Sequence, residues 1–90
     1  MFSCNNNKGF HITFANGWTV SVQFGAFSYC ANKNKTDNPT FPCPDAEVAA
    51  WDSNDVWHHF KEHNDDVKGW MSANDVLEFM NLIAAYKESV

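Results

Sequence analysis

The stretch from Phe10 to Phe24 constrains the fold more than any other part of the chain. Phe10, Ile12 and Phe14 alternate with His11 and Thr13 before Asn16-Gly17. After that pair, Trp18, Val20, Val22 and Phe24 alternate with Thr19, Ser21 and Gln23. A period of two on both sides of a turn signal predicts a β-hairpin. The turn also sets its register. A two-residue Asn-Gly loop places Phe14 across from Thr19 and puts the two apolar rows on opposite faces. A three-residue loop, Ala15-Asn16-Gly17, with Gly17 left-handed, pairs Phe14 with Trp18, Ile12 with Val20 and Phe10 with Val22. That register is expected here, because it leaves one apolar face and one face carrying His11, Thr13, Thr19, Ser21 and Gln23.

The rest of the chain predicts a second hairpin and a helix. Residues 46–51 and 56–60 read as short strands around Asp52-Ser53-Asn54-Asp55. A turn centred on Ser53-Asn54 pairs Trp51 with Val56 and Ala50 with Trp57, which sends Trp51 and Trp57 to opposite faces. Ser53 also fits as the cap of a helix through Glu62, so residues 53–63 stay open between strand and helix. Ser72, with Asp75 three residues on, is a helix-capping pair. Beyond it Val76, Met80, Ile83 and Ala84, joined by Leu77, Phe79 and Tyr86, form an apolar stripe at helical spacing. Between the hairpins, Ala31 to Pro44 holds three prolines and one large apolar residue, Phe41, and reads as a long functional or mobile loop. The expected fold is α+β: a small antiparallel sheet of about four strands, in two hairpins, packed on one C-terminal helix. A flexible N-terminus (1–8) precedes a single domain (9–88) with its long loop at 31–45.

Composition excludes several functions. With 90 residues, 44% of them hydrophobic and 16% aromatic, the chain has the apolar content for one folded core and no room for two domains. Six lysines against eleven acids give a net charge of −5, and no arginine is present. The side chain best suited to phosphate and guanine is therefore missing, and direct nucleic-acid binding is not expected. No apolar run approaches the roughly 18 residues of a membrane span. The N-terminus lacks the features of a signal peptide, so a cytoplasmic location is expected, that of the host cell for a viral protein. Cys4, Cys30 and Cys43 are an odd count that fits reduced thiols, although Cys30 and Cys43 bracket a loop in a way that permits a bridge.

Several segments, in order, resemble a family of small uncharacterised proteins of bacteriophages and prophages. They are the hairpin core Asn16-Gly17-Trp18-Thr19-Val20-Ser21-Val22-Gln23-Phe24-Gly25, the pair Tyr29-Cys30, the strand Ala46-Glu47-Val48-Ala49-Ala50-Trp51, and Asp66-Val67-Lys68-Gly69-Trp70 with its following helix. The resemblance spans residues 10 to 86 and departs in the Ala31–Pro44 loop and the Asn-rich N-terminus. It implies a phage origin and supports strands over 46–60. It carries over no catalytic or binding residues. Eleven asparagines and the exclusion of arginine in favour of lysine agree with the A·T-rich coding bias common in such viruses.

Catalytic signatures are missing: there is no Gly-x-Ser-x-Gly, no Gly-rich phosphate loop and no His-Glu-x-x-His. No enzymatic activity and no cofactor are expected. Cys30 and Cys43, with His58 or His59 and with His63, follow a two-Cys, two-His order, but the two cysteines stand far wider apart than zinc modules place them. A zinc-binding structural module is thus a lesser alternative, and no metal ligand is assigned.

The aromatics carry the functional expectation. One helix covers one sheet face, so one of Trp51 and Trp57 is expected on the other face, beside His11, Thr13, Ser21 and Gln23, unless the Phe41 loop folds over it. Trp51, Trp57, His11, Thr13, Ser21, Gln23, Tyr29 and His59 are the candidate binding residues. The favoured partner is a host protein, a component of antiviral defence, bound through this face and the acidic surface. The alternative is a homo-oligomeric sponge for a small nucleotide signal, and a homodimer is compatible with both.

Overall fold

A computed structural model of the protein describes residues 1–4, 8–39 and 41–87. It is an α+β fold in which five antiparallel strands lie in chain order: β1 (Phe2–Cys4), β2 (Gly9–Thr13), β3 (Thr19–Gln23), β4 (Ala46–Trp51) and β5 (Lys68–Met71). One helix, α1 (Ala73–Ala84), packs across β3, β4 and β5 on a single face.

The first hairpin has the register set by its three-residue turn. Phe10 lies opposite Val22 and Ile12 opposite Val20, while the Phe14 amide donates to the Trp18 carbonyl (2.9 Å). Gly17 takes φ 88°, the left-handed region where a residue without Cβ is unstrained. The Trp18 amide donates to Asn16 Oδ1 (3.0 Å), fixing the turn from inside.

The second turn repeats this geometry without a glycine, and the expectation of opposite faces for Trp51 and Trp57 fails there. Asp52 pairs with Val56 through its amide (3.0 Å), and Asp55 occupies the left-handed position at φ 61°. The Asp52 carboxylate accepts from the amides of Asn54 (2.8 Å) and Val56 (3.0 Å), which holds the turn open by one residue. Trp57 consequently bridges to Trp51, and the His58 amide donates to the Ala50 carbonyl (2.9 Å). Residues 56–60 form isolated bridges and not a strand. After His58 the chain leaves the sheet so that Phe60 can bury against Phe79 (ring centroids 5.3 Å).

Two strands were not foreseen. In place of a flexible start, residues 2–4 pair with β2, Ser3 opposite His11, and the N-terminal ammonium donates to the Thr13 carbonyl (2.9 Å). Residues 5–7 of that segment lie outside the described residues. β5 pairs with β4 through a register shift between Ala46 and Val48, where Trp70 has φ 50°. A bulged strand of four residues has no period-two signature.

Alternate residues of β3 and β4 (Val20, Val22, Val48 and Ala50) meet Met71, Val76, Phe79 and Ile83 in the core. The Ser72 side chain accepts from the Asp75 amide (3.2 Å) as the N-cap of α1. The helical stripe is narrower than expected: Val76, Phe79 and Ile83 are buried, whereas Leu77 and Ala84 are exposed.

Candidate functional site

The face of the sheet opposite α1 carries no helix or strand among the described residues. Period-two alternation places there His11 and Thr13 of β2, Thr19, Ser21 and Gln23 of β3, and Ala49 and Trp51 of β4. Because Trp57 bridges to Trp51, both tryptophans lie on this face. Their rings are 4.9 Å apart at 33°. The His11 ring meets Trp51 edge-on at 5.1 Å, reaching across β3. Ser21, paired with His11 in the ladder, is buried by this arrangement and accepts from Gln23 Nε2 (3.1 Å). Thr13 and Thr19 share a hydrogen bond between their hydroxyls (2.8 Å).

Six of the eight candidate residues (Trp51, Trp57, His11, Thr13, Ser21 and Gln23) are thus on one surface. Trp57 stays 45% exposed with Val56 beside it at 58%. Phe41 of the Ala31–Pro44 loop does not roof them: it packs on Phe24 (5.9 Å), which extends the core row of β3.

Tyr29 and His59 stand outside the cluster of Trp51, Trp57 and His11. Tyr29 sits at the β5 margin, its ring 5.6 Å from Trp70 and beneath Lys33 Nζ at 4.9 Å. Its amide donates to Glu47 Oε2 (3.0 Å), and its carbonyl accepts from the Trp70 amide (2.8 Å). Sequence reading missed Trp70, since nothing in Lys68-Gly69-Trp70-Met71 announces a bulge. His59 stands on the exposed turn after the second hairpin, with Nδ1 2.8 Å from Asp66 and Nε2 3.1 Å from Asn64. The Asp66 contact holds its imidazole above the usual value. Its neighbour His58 turns to the helix side, against Phe60, Phe79 and Tyr86, with Nδ1 2.8 Å from the Tyr86 hydroxyl. Burial there pushes His58 below its ordinary value, with a smaller opposing effect of Glu62.

The histidines do not join the cysteines in a two-Cys, two-His set. His63 stacks on Phe60 (5.8 Å), and no histidine joins the ligating groups that converge with thiols among the described residues. Among the described residues, the ligating groups that converge are Cys30, Cys43 and Asp45, whose donor atoms all lie within 4.8 Å of one another. Burial pushes the Cys30 thiol up, and Cys43 and Asp45 add to the shift.

A second concavity, of about 570 Å³, runs between α1 and β5. Phe60, Trp70, Phe79 and Leu82 line it, and Glu62, Asp75 and Glu78 set a mostly acidic rim. No helix among the described residues is long and apolar enough to cross a membrane. Comparison of the chain with protein-family models, with curated proteins and with solved structures gives no match in any of the three.

Proposed function

We propose that this is a small non-enzymatic binding protein of phage type that occupies a surface of a host antiviral-defence protein and so inhibits it. The observation that carries the reading is the Trp51–Trp57 contact on the sheet face that α1 leaves uncovered. Tryptophan dominates binding hot spots because it buries a large area at low side-chain entropy cost, and here two rings stand preassembled with His11 among small polar groups. The acidic groove beside α1 is a weaker candidate, since any partner must desolvate its carboxylates. The phage resemblance and the arginine-free composition support a host target. A nucleotide sponge fits less well: rings 4.9 Å apart leave no slot for a base between them, and the aromatic–lysine pairing closest to a phosphate-binding arrangement, Tyr29 with Lys33, lies at the β5 margin.

Affinity capture from host lysate with wild type, Trp57→Ala and Phe27→Ala tests this reading. Phe27 is an exposed aromatic, 83% accessible, outside the face. A protein retained by wild type and Phe27→Ala and lost with Trp57→Ala supports the assignment. Retention by all three, or co-purification of a nucleotide in place of a protein, contradicts it.

A further inference from the structure

The long loop is closed by a side-chain cluster independent of the sheet face. Cys30 is buried where the chain leaves the Gly25–Tyr29 turns, and Cys43 and Asp45 lie where it re-enters the sheet as β4. The Cys30 thiol donates to the Gly25 carbonyl (3.4 Å), and the Cys43 thiol donates to the Asp45 carbonyl (3.2 Å) with its carboxylate 3.9 Å away. The half-buried Asp45 accepts from the Ala31 amide through its carboxylate (2.7 Å), and among the described residues no basic side chain pairs with it. Two sulfur donors and one oxygen donor therefore converge within 4.8 Å.

From this geometry we propose that Cys30, Cys43 and Asp45 form a binding site for a zinc-class divalent cation that staples the two ends of the loop. Tetrahedral coordination with metal–sulfur bonds of about 2.3 Å and metal–oxygen bonds of about 2.0–2.2 Å separates such donors by less than 4 Å. A contraction of about 1 Å or less brings this set together. Thiolate donors select zinc-class ions over magnesium and calcium. Binding releases the two thiol protons to solvent, and three protein donors leave the fourth position to water. The Ala31 amide orients the carboxylate as outer-shell donors do in metal sites.

Cobalt(II) titration of the full-length, metal-stripped, reduced protein tests the site. The expected result is one equivalent bound, with the intense visible bands of a tetrahedral ion and the near-ultraviolet sulfur-to-cobalt charge transfer, both displaced by zinc. Cys30→Ser and Cys43→Ser are expected to abolish the charge-transfer band, and Asp45→Asn to weaken binding roughly tenfold or more. Cys4→Ser, on β1, and His59→Gln are expected to bind as wild type. Amide spectra of each variant establish that it is folded. Zinc is also expected to raise the melting temperature of wild type, and by less at equal zinc concentration that of folded Asp45→Asn. The proposal is overturned by a protein that binds no cobalt, by binding that survives Cys43→Ser or disappears in Cys4→Ser, or by a Cys30–Cys43 disulfide in protein purified without oxidant.

Discussion

Asn16, at the tip of the first hairpin, donates its side-chain amide to the carbonyl of Ile83 in the last turn of α1, 67 residues further on (2.9 Å). The same nitrogen lies 3.3 Å from the Ala84 carbonyl and 3.2 Å from that of Tyr86. One side chain thus fixes the hairpin turn through its Oδ1 and satisfies orphan carbonyls at the helix end through its Nδ2. The contact ties the end of α1 to the turn between β2 and β3. It also brings Tyr86 within 5.0 Å of Trp18.

Asn16→Ala is expected to cost about 1–2 kcal/mol, the usual loss for a cap whose removal leaves backbone groups unpaired. Asn16→Asp is expected to cost at least as much at neutral pH, because a carboxylate brings no donor and faces the negative end of the helix. Urea unfolding checks both: the midpoint should fall with the slope unchanged. An unchanged midpoint for Asn16→Asp would mean the turn and the helix end are not coupled.

Trp51 and Trp57 are expected to give an exciton couplet in circular dichroism, since their rings are 4.9 Å apart at 33°. Either Trp→Phe replacement should remove it, while Trp70→Phe should not. A couplet untouched by Trp57→Phe would contradict the pairing of these two residues across the second turn.

Adjacent histidines are expected to titrate in opposite directions from the ordinary value of 6.5. His58 is lowered by burial, so its contribution to stability is present above that value and is lost as pH falls through its folded pKa. His59, raised chiefly by Asp66, contributes below that value and loses its contribution as pH rises through its folded pKa. Side-chain NMR titration separates the two, and Asp66→Asn should bring His59 alone back toward 6.5.

Gly69 abuts the Tyr29 backbone: a Cβ there would meet Tyr29 Cβ and lie 2.7 Å from its carbonyl oxygen. Gly69→Ala is expected to push Tyr29 off the β5 margin at a cost of about 1–3 kcal/mol. Loss of the Tyr29 amide's protection, with that of Val20 retained, is the signature in hydrogen exchange.

Local sequence chemistry made part of this fold readable. Gly17 announces a left-handed position, so the first hairpin's register follows from alternation plus one residue. In the second turn Asp55 takes that position, supported by the Asp52 carboxylate, and a side chain that seldom adopts it conceals the one-residue offset that reunites Trp51 with Trp57. β5 is hidden for a related reason: its bulge at Trp70 erases the alternation, and the need for glycine at 69 comes from Tyr29, forty residues earlier in the chain. The outer face was legible as a set because period two sorts side chains without knowledge of the strand's neighbours. Asp45 was not, because its meeting with Cys30 depends on the path of an irregular loop.

The sheet face as the contact surface is tested most directly by site-specific photo-crosslinking in host cells. A photoreactive residue is placed at Thr19 or Trp57 on the face, or at Leu77 or Leu82 on the exposed side of α1. The account predicts a cross-linked second protein from positions 19 and 57 and none from 77 and 82. Cross-links confined to 77 and 82 would move the interface to the helix and contradict it.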